Sequence, residues 1–236
     1  MSFIITVYTN EGIVMASDSR TTYTKTIKNP GGLVETQIGV QITDTTNKTF
    51  LCPGNIGIST CGESSIGNKP IAGFIEEYIA TQMSENDTVE AVSEGLLLHF
   101  GEISPDLDTK FIVAGYDMKK LKQQVYRILI KNRKKEVIDT FNAGATWSGE
   151  TDTLIKLINP VALKVDNNTY QDLIRYEIGF NYFTLQDAIN FAEYAVDVTI
   201  KTMFFQNRVK TVGGPIDILV IKPTGAFWVK HKELHA

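Results

Sequence analysis

The sequence predicts an α+β protein with two stacked β-sheets and helices over both outer faces. Strand-like runs, helical periodicity, further strands, further helices and a last hairpin follow one another along the 236 residues. This order favours an α+β fold over a βαβ parallel sheet. The strands are also numerous enough for two sheets. The length suits one large domain, and we expect residues 1–236 to form a single domain.

The first 62 residues are predicted to be strands. Turn signals separate them at Thr9–Gly12, which is typical of an antiparallel hairpin, at 29–32 (Asn-Pro-Gly-Gly) and at Pro53–Asn55. The predicted strands are 2–8, 12–17, 35–43, 48–52 and 56–61.

Helical periodicity follows, with apolar residues three and four positions apart between 64 and 83. Thr184 and Asp187 form a near capping box before a long later helix. The segment 161–183 follows no clean period. The predicted helices are 64–83, 88–100, 148–158 and 185–205, and the predicted later strands are 110–115, 123–131, 136–141, 216–221 and 226–230.

Composition and charge argue against several classes of protein. The formal net charge is −4 and the basic residues are scattered, so we expect no nucleic-acid partner. The one basic cluster, 131–135, is interpreted as a hairpin tip. No segment approaches the roughly 20 apolar residues that span a bilayer, and the start does not resemble a signal peptide. We therefore expect a cytoplasmic protein without membrane contact.

The cysteine and histidine residues predict neither a disulfide nor a metal centre. Cys52 and Cys61 are expected to be free buried thiols, as is usual in a reducing compartment. His99 lies among apolar residues and is predicted to be a core or boundary residue. His231 and His235 lie in a polar segment with no partner motif. We expect no metal and no cofactor.

Ser2 is the most informative residue, because it directly follows the initiator methionine. A small second residue lets Met1 be trimmed, which would place a hydroxyl nucleophile and a free α-amine on one residue. The reference pKa of such an amine, about 7.7 to 8, suits a general base. Serine is also a common second residue, so Ser2 alone decides nothing.

Three further residues lie where they could serve Ser2. Asp18 ends the second strand, which a hairpin would return to the amino end. Lys48 opens another strand and could point its ammonium toward Ser2 if Asp18 pairs with it, lowering the pKa of the nucleophile. Gly62 lies where a strand gives way to a helix, so its N–H could stabilise an oxyanion. Taken singly, Asp18 could be a turn residue, Lys48 a surface residue and Gly62 a strand terminator.

Taken together, these residues reproduce a known order. The run 2–20 resembles the amino end of mature proteasome β-subunits and of bacterial proteasome-like peptidases. Those proteins begin with threonine, turn at a glycine and end the next strand with Asp-Ser-Arg or a variant. The spacings from Ser2 to Asp18 and from Lys48 to Gly62 match without a gap. The segments 111–117 and 213–217 are similar to the central strand and to the start of the last strand of that family.

The resemblance implies an N-terminal-nucleophile (Ntn) hydrolase with a four-layer αββα sandwich of two antiparallel sheets. By this likeness Ser2 attacks a peptide or small amide, with its own amine as base. Lys48 tunes the nucleophile, Asp18 orients Lys48, and Gly62 stabilises the oxyanion. The resemblance also implies a homo-oligomeric ring that hides the active sites; it leaves open whether a regulatory ATPase is a partner. Two alternatives are an inactive proteasome-like scaffold and an Ntn amidase for a small-molecule amide.

The sequence departs from the family pattern in four places. The nucleophile is serine rather than threonine. The loop before Lys48 is longer, which makes Lys25 and Lys28 rival candidates. The family has an aspartate and a serine before Gly213, where only Asn207 or Thr211 could substitute. The supporting serine of the family would have to be Thr146 or Ser148, although Ser148 could equally be a helix N-cap.

Overall fold

Two five-stranded sheets form the centre of the molecule. The computed structural model describes residues 2–28, 34–67 and 69–233. Sheet 1 contains, in spatial order, β12 (Gly144–Gly149), β1 (Phe3–Thr9), β2 (Gly12–Ser17), β15 (Asp217–Lys222) and β16 (Gly225–Lys230). Sheet 2 contains β11 (Lys134–Ile138), β10 (Lys122–Leu129), β9 (Thr109–Asp117), β6 (Ile56–Gly62) and β5 (Thr49–Cys52). Neighbouring strands in both sheets run antiparallel.

Four helices cover the outer faces of the two sheets. The helices are α1 (Ile71–Gln82), α2 (Val89–Ile103), α3 (Asp152–Ile158) and α4 (Leu185–Phe205). Helices α1 and α2 share a hydrophobic core with sheet 2, and α3 and α4 share one with sheet 1. A third core lies between the sheets, where Ile4 and Met15 of sheet 1 share a cluster with Ile112 and Val125 of sheet 2. Three cores between four layers confirm the predicted αββα sandwich.

The amino end of the chain lies inside this sandwich. Every residue of β1 and β2 is buried, because β1 lies between β2 and β12, with a hydrophobic core on each face of the sheet. The nearly continuous apolar run from Phe3 to Val7 suits a strand that is buried on both sides. Ser2 is therefore held at the edge of the core.

Three two-stranded hairpins lie outside the main sheets. They are β3 (Thr21–Lys28) with β4 (Val34–Thr43), β7 (Ser65–Ile66) with β8 (Lys69–Pro70), and β13 (Ala162–Asp166) with β14 (Thr169–Asp172). Strand β3 was not predicted, and the turn predicted at 29–32 lies outside the described residues. Every residue of β13 and β14 is exposed, so this hairpin shows no alternation between buried and exposed positions.

Two helix starts were predicted too early. Helix α1 begins at Ile71 rather than at 64, because the β7–β8 hairpin precedes it: Gly67 has φ +55° and Pro70 stands just before the first turn. Helix α3 begins at Asp152 rather than at 148. Ser148 belongs to strand β12 opposite Ile4 and is not an N-cap.

Several local predictions are confirmed. Thr184 and Asp187 form the capping box of α4, Cys52 and Cys61 are free and buried, and His99 is a boundary residue. Within the described residues, no helix has both the length and the apolar character needed to cross a membrane.

Candidate active site

Asp18 connects four parts of the chain at the amino end of β1. Its Oδ1 accepts hydrogen bonds from the Phe3 N–H at 3.0 Å and from Lys48 Nζ at 2.8 Å. Its Oδ2 accepts from the backbone N–H groups of Gly213 at 3.0 Å and Arg20 at 3.1 Å. Asp18 is completely buried. Four donors on one carboxylate compensate for its desolvation, so Asp18 is a structural hub and not an exposed turn residue.

Lys48 lies immediately before β5 with its side chain only 3% exposed. Its ammonium donates to Asp18 and also to the carbonyl oxygen of Arg20. Burial lowers the pKa of Lys48, and the charge of Asp18 acts in the opposite direction. Lys48 is thus a buried cation and not a surface strand residue. The rival residues Lys25 and Lys28 lie on β3, in the separate β3–β4 hairpin.

Ser2 is held by backbone contacts on both sides of the chain. The Phe3 N–H binds Asp18, and the carbonyl oxygen of Ser2 accepts a hydrogen bond from the Glu150 N–H at 2.8 Å. Gly149 comes so close that a Cβ there would lie 1.8 Å from the Ser2 oxygen, and its φ of +99° also favours glycine. The backbone of Ser2 therefore has little freedom, which is what an oriented nucleophile requires.

Ser2, Lys48 and Gly62 line one small cavity. Cys61, Thr60 and Ile71 also contribute to its wall, and its volume is about 20 Å³, room for about one water molecule. Gly62 ends β6 with φ +117°, and a Cβ there would lie 2.2 Å from the carbonyl oxygen of Asp108. Three of the four predicted site residues thus meet at this cavity, and the fourth, Asp18, binds Lys48 from behind.

A wider groove adjoins this cavity through Gly62, Glu63 and Ser64, which line both. The groove has a volume of about 470 Å³, and Thr22 and Thr24 of β3 form the opposite wall. An extended substrate segment could lie here beside Ser2, because pockets of this size hold small ligands and short peptide stretches.

A ladder of buried hydroxyls behind Lys48 was not predicted. Thr49 Oγ1 donates to Ser17 Oγ at 2.8 Å and lies 2.9 Å from Ser59 Oγ. The ladder joins β2 of sheet 1 to β5 and β6 of sheet 2. The sequence signal that could have revealed the ladder is a hydroxyl residue beside each charged residue: Ser17 precedes Asp18, and Thr49 follows Lys48.

A hydrogen-bond network around Glu150, near Ser2, was also not predicted from the sequence. The backbone N–H of Glu150 binds Ser2, and its side chain accepts from Thr211 Oγ1 at 3.0 Å and pairs with Arg208 at 2.7 Å. Glu150 follows β12, and its side chain is 11% exposed. Residues 207–212, before Gly213, thus contain no acid, but Thr211 contacts Glu150, which follows β12. Thr146 is engaged elsewhere, by Arg127.

His231, for which the sequence shows no partner motif, contacts a buried acid in the structure. Nδ1 of His231 lies 3.3 Å from Oδ1 of the buried Asp217, and its ring stacks on Trp228 with centroids 4.1 Å apart. No sequence pattern indicates this contact, since it depends on the return of the chain after β16. His235 lies outside the described residues. In the described ranges, no group of three or more His, Cys, Asp and Glu side chains is placed to hold a metal ion.

The four-layer arrangement of helices and antiparallel sheets is also found in a solved structure. A solved structure with this fold is a mutant of Anbu from Hyphomicrobium sp. strain MC1: the similarity covers 98% of this chain and 86% of that chain, with a TM-score of 0.60 and 13% sequence identity. At this identity the likeness shows the fold alone. No protein-family model and no curated protein matches the sequence.

Proposed function

We propose that this protein is an N-terminal-nucleophile hydrolase that cleaves peptide or amide bonds with Ser2 after removal of Met1. The observation that carries the proposal is the buried Asp18–Lys48 ion pair, which lies against the same cavity as Ser2 and Gly62. An isolated buried ion pair gains little net stability over apolar residues. Its position beside a restrained amino-terminal serine gives it a chemical use.

The proposed reaction has two halves. Ser2 Oγ adds to the substrate carbonyl carbon while its proton passes, through a water, to the free α-amine of Ser2. The backbone N–H of Gly62 binds the oxyanion. The intermediate collapses, the C–N bond breaks, and the leaving amine takes the proton from the α-ammonium. Water then adds to the ester in the same way and releases the carboxylic acid and Ser2.

Lys48 and Asp18 have separate roles in this proposal. The ammonium of Lys48 stabilises developing negative charge on Ser2 Oγ. Asp18 holds Lys48 and, through the Phe3 N–H, the backbone of the nucleophile. The carboxylate of Asp18 thus orients both Lys48 and the nucleophile Ser2.

The test is intact-mass spectrometry of untagged protein treated with an activated ester or an Ntn-hydrolase inhibitor. We expect loss of Met1 and one added acyl group, located on Ser2 by peptide mapping. Ser2→Ala should remove the label, and Ser104→Ala, remote from the cavity, should retain it. Persistence of Met1 even after co-expression with a methionine aminopeptidase, or absence of label on a chain that begins at Ser2, would favour the inactive scaffold.

We also propose the assembly and setting that the resemblance implies. Residues 1–236 form one domain, copies of the chain associate into a homo-oligomeric ring, and the protein acts in the cytoplasm, where free thiols such as Cys52 and Cys61 persist. Native mass spectrometry tests the ring directly. A strictly monomeric protein with an acylated Ser2 would instead favour the small-molecule amidase.

A further inference from the structure

A second buried aspartate–lysine pair lies beside the candidate site. Asp217, the first residue of β15, is completely buried, and the side chain of Lys232 is only 4% exposed. Lys232 binds Asp217 twice, with its ammonium to Oδ2 and with its backbone N–H to Oδ1 at 2.9 Å. The segment 231–233 after β16 therefore folds back into the molecule.

Short connections join this pair to the first one. Asp217 stands directly opposite Ser17 in the pairing of β15 with β2, and Ser17 precedes Asp18. Residues that stand opposite each other in an antiparallel pair project to the same face of the sheet. Ser17 Oγ accepts from Thr49, the residue after Lys48. Ser17 on β2 and Thr49 on β5 thus lie between the two ion pairs.

The charge of Lys232 also acts on Lys48. Burial is the largest cause that lowers the pKa of Lys48, the charge of Asp18 opposes it, and the charge of Lys232 adds a smaller lowering. The other charged or titratable groups that act on Lys48 are Asp18 and Cys61, and Asp44, which pairs with Arg20, also feels its charge. Lys232 itself faces Asp217 and, across that carboxylate, His231.

A lysine that served only to anchor the chain after β16 would not need to be buried. Lys230, two residues earlier, also ties β16 to the body of the protein, through Glu193 on α4, but its side chain is 51% exposed. A solvated pair of that kind anchors the chain with a small desolvation cost. The buried position of Lys232 is costly, and its distinguishing consequence is the added positive charge next to Lys48.

We propose that Lys232 is a positioning residue for the reaction at Ser2: docked on Asp217, it sets the charge environment of Lys48 from behind. This inference rests on the function proposed above for Ser2. Lys232 does not touch the substrate and acts only through Lys48 and the hydroxyl ladder of Ser17, Thr49 and Ser59.

The first readout is the pH dependence of Ser2 acylation. In Lys232→Met a positive charge is lost and Asp217 is left unpaired, and both changes favour the charged form of Lys48. We expect the limb of the profile that follows Lys48 to move to higher pH. Lys232→Arg keeps the charge and should keep the wild-type profile. Lys230→Met is the matched control and should not move it.

The second readout does not need acylation. Side-chain nitrogen NMR follows the titration of Lys48 directly, and we expect its midpoint to rise in Lys232→Met. If Lys232→Met does not fold, the double variant Asp217→Asn/Lys232→Met removes both charges together, and the midpoint should rise by less than the loss of Lys232 alone would cause, because the loss of Asp217 offsets part of the loss of Lys232. A wild-type protein that is never acylated would refute the hydrolase, whereas an unmoved Lys48 midpoint in the folded variants would overturn the role of Lys232.

Discussion

The two buried aspartate–lysine pairs are similar in burial and differ in what they face. The aspartates Asp18 and Asp217 are fully buried, and Lys48 and Lys232 are 3% and 4% exposed. Lys48 lines the cavity that Ser2 and Gly62 also line, whereas Lys232 binds Asp217. The same chemical unit therefore occurs once at the cavity beside Ser2 and once against β2, opposite Ser17.

Burial alone therefore does not single out an ion pair for a role in catalysis. Both pairs cost desolvation and both are satisfied by additional hydrogen bonds. Only the Asp18–Lys48 pair is connected to the backbone of a candidate nucleophile, through the Phe3 N–H. The predictions below test whether the two pairs differ in chemistry while they resemble each other in stability.

The largest effect is expected from Lys48→Met set against Lys232→Met. Each variant leaves a buried carboxylate unpaired, so each should lower the free energy of unfolding by about 3–5 kcal/mol. Lys48→Met should also lower the rate of Ser2 acylation by about 100-fold or more, whereas Lys232→Met should remain reactive at its shifted pH. Urea unfolding and labelling rates measure the two quantities; equal losses of labelling would erase the distinction.

A somewhat smaller effect on stability is expected at Gly62, where the cause is a steric clash and not the loss of a charge. In Gly62→Ala the new Cβ would meet the Asp108 oxygen at 2.2 Å, in a backbone conformation with φ +117°. We expect a loss of about 3 kcal/mol in thermal or urea unfolding. Gly67→Ala is the matched control, because φ is +55° and nothing lies within 4 Å, so it should cost about 1 kcal/mol.

The two buried cysteines test how burial affects the pKa of a group outside the two ion pairs. Cys61 shares the cavity with Ser2 and Cys52 belongs to the core under α1 and α2, yet burial raises the pKa of each thiol to about 12. The unfolded chain loses these protons first, so their stabilising contribution is complete below about pH 9 and is lost as the pH rises toward 12.

The measurement is urea unfolding between pH 8 and pH 10. The slope against pH should be less negative in Cys52→Ala than in the wild type, by up to about 1.4 kcal/mol per pH unit above pH 9. The thiols should also stay unreactive toward a disulfide reagent at pH 8 until the protein unfolds. Rapid reaction of Cys61 in the native protein would show that the cavity lowers the pKa of its thiol despite its burial.

The smallest effect is expected at an exposed ion pair. Asp197 and Lys201 lie 2.7 Å apart, four residues apart on α4, with side chains 40% and 72% exposed. Asp197→Asn should change the free energy of unfolding by less than about 0.5 kcal/mol and leave acylation unchanged. A loss comparable to that of Lys232→Met would mean that burial does not separate these pairs.

Local patterns account for what the sequence could predict. Ser2 and Asp18 lie at the ends of one hairpin, β1 with β2, so their proximity follows from a single turn at Thr9–Gly12. The layers follow from hydrophobic periodicity in the long helices and from apolar strands. Even the long α4 helix agrees with its predicted bounds, because its capping box marks the start.

What was missed depends on chain returns that no local pattern encodes. The sequence predicts no strand at 144–149 and a helix that begins at 148, although 144–149 is a strand that pairs with β1. Glu150 reaches Thr211 across 61 positions, and Lys232 reaches Asp217 only after β16 has ended. A single lysine in a polar segment has no periodicity, so its burial could not be predicted.

The position of β1 also bears on when the candidate site can form during synthesis. Strand β1 is made well before its partner β12, which ends at residue 149, and Asp18 acquires its bond from the Gly213 N–H only when residue 213 has left the ribosome. Contacts this distant in sequence form late in folding. Asp18, Lys48 and Gly62 are therefore synthesised long before β12 and Gly213 can hold Ser2 and Asp18 in their places.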